Sequence, residues 1–444
     1  MNKLNPIINS ALSGWRSGLA QSLILKDVRI IDPASSLDQR GDLAIHDGQI
    51  KHLLKVPDRF KGEEVSGEGW VVCPGLFDMH VHLREPGFEH KETVRTGCLA
   101  AIAGGFTGVA PMPNTHPAAD NPGIVNLIRS RAFGLPVDVC PIAATTLGRK
   151  GETLSDMAEL CEDGVSAFSD DGSPVVSAGL MRLALEYSRM LNAVIIEHCE
   201  EPTMTLGGVA DEGAVATTLG LPPWPAAAET IAIERNIRLA EYTGGRLHIA
   251  HVSTAAGLQL IRDAKKRGVN VTAEVTPHHL TLDSRVLESF DTNYKVNPPL
   301  RTPQDVEALI QGLADGSIDV IASDHAPHAS DEKAVEFINA PFGMLGLETT
   351  LGIILTKLVA TGKVSLARVI DALTAAPRRI LQLPQAVIAE GQPANLTLFN
   401  PQAKWTVDRN RLHSRSQNTP YHGWELTGQA CGIINRGLFY WREI

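Results

Sequence analysis

Histidine and aspartate recur in this 444-residue chain at the ends of short apolar runs. In LFDMHVHL, at 76–83, His80 and His82 stand two apart, so a strand turns both to one face. VSAFSDDG carries Asp170 and Asp171, AVIIEHC carries His198, LHIAHVS carries His251, and DVIASDHAPH carries Asp324, His325 and His328. Neutral imidazole and carboxylate are the ligand types that suit zinc or a similar divalent metal. Each piece alone is weak. H-x-H is usually a pair of half-buried histidines, and Asp before Gly usually caps a turn. Five strand ends agreeing is a stronger signal. His248, three before His251, faces the other way and reads as structural, whereas His278 and His279 after Thr-Pro suit a loop role as well as a site role.

Eight strand-like runs position these residues. They are LFDMHVHL, FTGVAPMP, PVDVCPIAA, VSAFSDD, AVIIEHC, LHIAHVS, NVTAEVTP and DVIASDHAP, with helical patterns such as AETIAIERNIRLAEYTGG and GLQLIRDAKKRG between most of them. Strands alternating with helices predict βαβ units and a parallel sheet, and eight is the number that closes a (β/α)8 TIM-like barrel. In such barrels the chemistry collects at the C-terminal strand ends, where the His and Asp residues fall. Short strands and turns fill both flanks: SLILKDVRIIDP, GDLAIHDGQI and GWVVCPG before the barrel, and ANLTLFNP, KWTVD and CGIINRGLFYWRE after it. The expected fold is α/β, with a barrel over 76–383 and a smaller discontinuous β-sandwich built from 1–75 and 384–444.

Composition excludes several classes. Hydrophobic residues make up 43% and charged residues 20%, which is ordinary globular usage. Forty basic against fifty acidic residues give −10, so charge does not draw the chain to nucleic acid. Six scattered cysteines without a C-x-x-C pair read as reduced thiols of a cytoplasmic protein. No run reaches the ~18 apolar residues of a membrane span, and no signal peptide is evident. Ile8, Leu12, Trp15 and Leu19 recur at helical spacing and predict a short amphipathic helix packed on its own domain or a neighbour.

The combined text is similar to the amidohydrolase superfamily, and within it to the long-chain class of bacterial dihydroorotases. The matching segments are DMHVHLREPG at 78–87, MPNT at 112–115, FSDDG at 168–172, EHCE at 197–200, HVST at 251–254, AEVTPHHL at 273–280, NPPLR at 297–301, SDHAPH at 323–328 and APFG at 340–343. They run in the family's order, from Leu23 to the C-terminus.

The resemblance implies zinc, one or two ions per subunit, with His80, His82 and Asp324 on the first and His198 and His251 on the second. It implies an aspartate bridge in place of a carbamylated lysine. Distance to the next histidine ligand selects Asp171 over Asp170, although the pair is open to the other reading. Asp324 is also the implied catalytic base. Arg84 matches the residue that clamps a substrate carboxylate, a task suited to a planar guanidinium fork. Asn114, Asn297 and His328 match polar groups around the substrate, and Phe342 and Gly343 match a backbone contact on a late loop. The implied reaction is reversible hydrolysis of the cyclic amide of dihydroorotate to N-carbamoyl-aspartate, a step of pyrimidine biosynthesis. Two rivals are a hydantoinase- or allantoinase-like cyclic amidohydrolase and a non-catalytic scaffold for aspartate transcarbamoylase. A homo-oligomer and a contact with that transcarbamoylase are the partners the resemblance raises. The loop after His328, with Asp331, Glu332 and Lys333, reads equally as a lid or as a static surface loop.

Overall fold

The computed structural model describes residues 14–442. Eight parallel strands form the central barrel: β1 Leu76–Val81, β2 Phe106–Pro111, β3 Asp138–Val139, β4 Ala167–Ser169, β5 Val194–Glu197, β6 Arg246–Ile249, β7 Val271–Val275 and β8 Val320–Ile321. Ladders join β1 to β2 to β3, and β4 through β8 in sequence order. A bridge between Ala143 and Phe168 links β3 to β4, and one between Val81 and His325 links β1 to the end of β8, so the ring closes.

β3 is shorter in the ladder than the run PVDVCPIAA because Pro136 and Pro141 have no N–H to donate. Cys140 and Ile142 still donate to Val109 and Pro111 of β2, at 2.9 and 3.0 Å.

Helices follow the strands: α1 Val94–Gly104, α2 Pro122–Arg131, α3 Met157–Glu162, α4 Ala178–Met190, α5 Ala226–Thr243, α6 Ala255–Lys266, α7 Pro303–Asp315 and α8 Leu366–Leu373. Local sequence sets their starts. Thr254 caps α6, and Thr302 with Asp305 makes a capping box at α7, where Pro303 occupies the first turn. Gly244, at φ +70°, ends α5 by turning the chain into the left-handed region that glycine takes at little cost. Leu99, Ile128, Leu185, Ile237, Ile261 and Leu313 carry the helices onto the strands. A separate apolar cluster of Phe77, Met79, Ala110, Val194, Ile196 and Val320 includes Ile380 and Leu381.

Both ends of the chain meet in one nine-stranded sheet. Its order is Trp15–Leu19, Leu438–Arg442, Glu425–Asn435, Leu396–Thr406, Val71–Pro74, Ser22–Asp32, Leu37–His46, Gln49–Leu54, with Glu63–Ser66 beside Ser22–Asp32. Antiparallel pairing of Leu396–Phe399 with Pro74–Val71 joins the N-terminal strands to the C-terminal ones. The sheet is tied to the barrel by Thr397, whose hydroxyl donates to Gly105 O at 2.6 Å and accepts from Leu76 N at 3.0 Å.

One expectation is corrected. Trp15–Leu19 is not the end of a helix but an edge strand, antiparallel to Leu438–Arg442. The free edge of that strand supplies main-chain partners, and the Arg442 guanidinium sits 4.9 Å from the Trp15 ring centre. Ile8 and Leu12 lie outside the described residues.

Candidate metal centre and its pocket

The strand ends bring the candidate ligands together. His82 Nε2 lies 2.9 Å from Asp324 Oδ1, and His80 Nε2 lies 3.4 Å from Asp171 Oδ1 and 3.7 Å from Asp324 Oδ1. His251 Nε2 and His198 Nδ1 stand 3.7 and 3.8 Å from the same Asp171 oxygen, and 2.9 Å from each other. His80, His82 and Asp324 form one ligand group; His80, Asp171 and His251 form another. Among Asp170 and Asp171, the second is the one that faces the histidines. Asp170 is held by the backbone N–H of Thr146 at 3.1 Å and by the Thr146 hydroxyl.

The electrostatics match the chemistry of the donor set. Burial opposes ionisation of Asp171, yet His80, His251 and His82 hold its carboxyl well below the ordinary range. Asp324 is held low in the same way, against burial, by His82 and His80. His80 Nε2 and Asp171 Oδ1 are buried and have no hydrogen-bond partner. Such orphaned polar atoms are rare in folded proteins, and a cation between them satisfies both. The residues present therefore fit a divalent metal.

Backbone geometry marks the same place. Arg84 (φ +60°), His251 (φ +31°) and Asp324 (φ +47°) all lie where side-chain-bearing residues pay a steric cost. Asp324 follows β8, and Asp78 on β1 accepts the N–H groups of both His80 and Ser323 at 3.2 and 3.1 Å, clamping the two strand ends side by side.

A pocket of about 330 Å³ opens over this cluster, lined by His82, Arg84, Asn114, Asp171, His198, His251, Asn297, Asp324, His328, Phe342 and Gly343. Arg84 donates from Nε to Pro327 O at 3.2 Å; burial brings it down to about 10, so it remains charged near neutrality. His328 donates from Nε2 to Phe342 O at 2.8 Å, and burial with Arg84 and Lys333 nearby pushes it down to about 2. It is therefore neutral. Asn297 donates to Glu200 at 3.3 Å while its Oδ1 is buried without a partner. Asn114 stands between His82 Nδ1, at 2.9 Å from its Oδ1, and Asp171 Oδ2, at 3.4 Å from its Nδ2. At Gly343 an added Cβ would lie 2.6 Å from Ala326 Cβ, so only glycine fits.

The structure also settles the neighbouring histidines. His279 is fixed between Thr276 Oγ1 and Pro298 O, at 2.8 and 3.0 Å. His278 is buried beside it, its Nε2 without a partner, and burial lowers it to about 4. His248 turns away from the pocket towards Thr272 and Glu274, at 2.8 and 3.2 Å. After His328 the chain makes a four-residue helix, Ser330–Lys333, in which Lys333 is buried.

Two carboxylates were not among the expected site residues. Glu200 lies 3.0 Å from His198 Nε2, and Glu274 lies 2.5 Å from His80 Nδ1. The available signal was a glutamate inside the apolar strand run VTAEV.

Comparison with known proteins agrees over nearly the whole length. A family model described as dihydro-orotase-like matches residues 69–256. The dihydroorotase of Pelotomaculum thermopropionicum is 49% identical over 415 residues, covering 94% of this chain and 97% of that one. The dihydroorotase of Syntrophus aciditrophicus is 44% identical, covering 95% and 99%. Among solved structures, the L-hydantoinase (dihydropyrimidinase) from Arthrobacter aurescens superposes with a TM-score of 0.83 at 24% identity, covering 94% of this chain and 95% of that one. The dihydropyrimidinase from Brevibacillus agri gives 0.81 at 22%, with the same coverage. These two share the α/β fold. Sequence identity at this level, carried through both the barrel and the flanking sheet, places the chain in the dihydroorotase family.

Proposed function

We propose that this chain is a zinc-dependent dihydroorotase that hydrolyses the cyclic amide of (S)-dihydroorotate to N-carbamoyl-L-aspartate and runs the reverse cyclisation. The observation that carries this reading is one pocket in which a His and Asp cluster fit for a metal faces a half-buried, charged Arg84. The ligands are His80, His82, Asp171, His198, His251 and Asp324, holding one or two zinc ions. Such a metal, when bound, supplies Lewis acidity that readies water for attack near neutral pH and polarises an amide carbonyl.

The remaining work falls to the side chains. Arg84 grips the substrate carboxylate, and Asn114, Asn297 and His328 orient the ring, with the backbone at Phe342 and Gly343 closing one side. The unpartnered Asn297 Oδ1 provides an acceptor. Asp324 accepts the proton of the attacking water and returns it to the ring nitrogen as the C–N bond breaks. The carbonyl carbon becomes a carboxylic acid that gives its proton to solvent near neutral pH, and the nitrogen becomes the carbamoyl NH2.

The proposal extends to the rest of the molecule. Residues 76–383 form the catalytic barrel, and the described residues of 1–75 and 384–444 form a β-sandwich made by the nine-stranded sheet folding back on itself. Strands far apart in the sheet order support this: Arg16 donates to Glu63 at 2.9 Å, and Phe439 and Trp441 share a buried cluster with Ile45 and Ile50. The six free cysteines support a reducing, cytoplasmic setting. Among the described residues no helix is long and apolar enough to cross a membrane. A homo-oligomer and a contact with aspartate transcarbamoylase complete the reading; sedimentation with and without that enzyme checks both.

A substrate panel tests the assignment. Dihydroorotate is expected to turn over, and hydantoin and dihydrouracil, which lack the carboxylate for Arg84, are expected to turn over far more slowly. Preference for an uncharged ring would assign the chain to a different cyclic amide.

A further inference from the structure

Glu274 is the fourth residue of β7, flanked in sequence by the apolar Ala273 and Val275, and its side chain is fully buried. A carboxylate in such a place costs several kcal/mol unless its oxygens are matched by donors. Here each oxygen has a partner. Oε1 lies 2.5 Å from His80 Nδ1 and accepts the backbone N–H of His251 at 3.3 Å, while Oε2 lies 3.2 Å from His248 Nε2. Oε1 accepts a main-chain N–H, so the carboxylate stands here as the acceptor.

This arrangement decides which imidazole nitrogen faces the ligand group. With Nδ1 of His80 turned to Glu274, Nε2 is the atom left to face Asp171 and Asp324, where it has no hydrogen-bond partner and is the nitrogen placed to meet a metal. The second contact holds His251 at its backbone, where φ of +31° is costly for a histidine. One carboxylate thus touches the residue shared by both ligand groups and a second member of one of them.

We infer that Glu274 is a positioning residue that fixes the tautomer and ring plane of His80 and the backbone of His251, and so sets how tightly the centre holds its metal. The inference rests on the metal-centre reading above. His248 supplies the donor for the other oxygen and is itself steadied by Thr272.

The test is zinc affinity of the full chain, measured by competition with a chromophoric chelator, together with the visible spectrum of the cobalt-loaded protein. Glu274→Gln keeps the shape and removes the charge, and Glu274→Asp keeps the charge but withdraws it by one methylene. Both are expected to bind zinc about 10- to 100-fold more weakly than the parent, with a shifted cobalt spectrum. Gln259→Ala, on the exposed face of α6 and away from the pocket, is expected to match the parent in both measurements. Zinc affinity and cobalt spectrum unchanged in a folded Glu274→Gln or Glu274→Asp chain would overturn the inference while leaving the metal centre standing. A parent chain that takes up no zinc would remove the metal centre and the inference with it.

Discussion

At the scale of single residues, Asp324 and Arg84 carry the sharpest predictions. Asp324→Asn keeps the size of the side chain but removes the proton acceptor, so kcat is expected to fall by about 10²- to 10⁴-fold or more, with the far-UV circular dichroism unchanged. Arg84→Met removes the fork that meets a carboxylate. Hydrogen bonds to charged groups contribute about 1.5–3 kcal/mol, so kcat/KM for dihydroorotate is expected to drop roughly 10- to 100-fold. Activity on an uncharged ring would fall much less; equal losses on both would mean that Arg84 acts on the metal ligands instead. The residues that meet in the pocket were legible because metal-ligand types recur at strand ends, and alternation along a strand is a local property. Glu274 and Glu200 were not legible. Glu274 on β7 meets His80 on β1, a contact that exists only in the closed barrel; Glu200 stands two residues from its partner His198, but their hydrogen bond depends on how the chain turns after β5.

At the scale of elements, the eight strands were readable from apolar runs and turn residues, while the edge strand at Trp15 was not. Its alternation is short, and its conformation is decided by pairing with Leu438–Arg442, more than four hundred residues away in the chain. The segment after His328 is governed by a comparable long-range contact. Lys333 donates to Thr292 O at 3.0 Å and Pro341 O at 2.7 Å, bracing the loop that carries Phe342. Burial pulls Lys333 down from 10.5 to about 7. The folded chain therefore releases this proton near pH 7, whereas the unfolded chain keeps it to about 10.5, and unfolding takes up a proton between those values. Stability of the parent relative to Lys333→Met is thus expected to rise with pH across that window, by up to about 1.4 kcal/mol per unit. Denaturant titrations of both chains from pH 7 to 10 check this, and a flat difference would contradict it. On the same loop, Gly343→Ala forces a methyl against Ala326 and is expected to cost about 1–3 kcal/mol, read as a lower unfolding midpoint.

At the scale of the whole molecule, the barrel holds the chemistry and the sheet ties the two ends of the chain to it. Leu396–Phe399 covers the edge of Val71–Pro74, and Leu398 and Ile434 share a buried cluster with Leu23 and Ile30. A chain cut after Leu383 leaves that edge and that cluster open to water, and it is expected to aggregate on expression. Soluble, monodisperse product would contradict this. The claim on which everything else depends is that this pocket uses a metal to open and close a carboxylated cyclic amide. The most direct measurement is dihydroorotate hydrolysis and carbamoyl-aspartate cyclisation by the purified chain, with metal content determined on the same sample before chelation, after chelation and after zinc is returned. Turnover in both directions that disappears with the metal and returns with it is the predicted result; a folded, zinc-loaded chain that turns over neither compound would contradict the account.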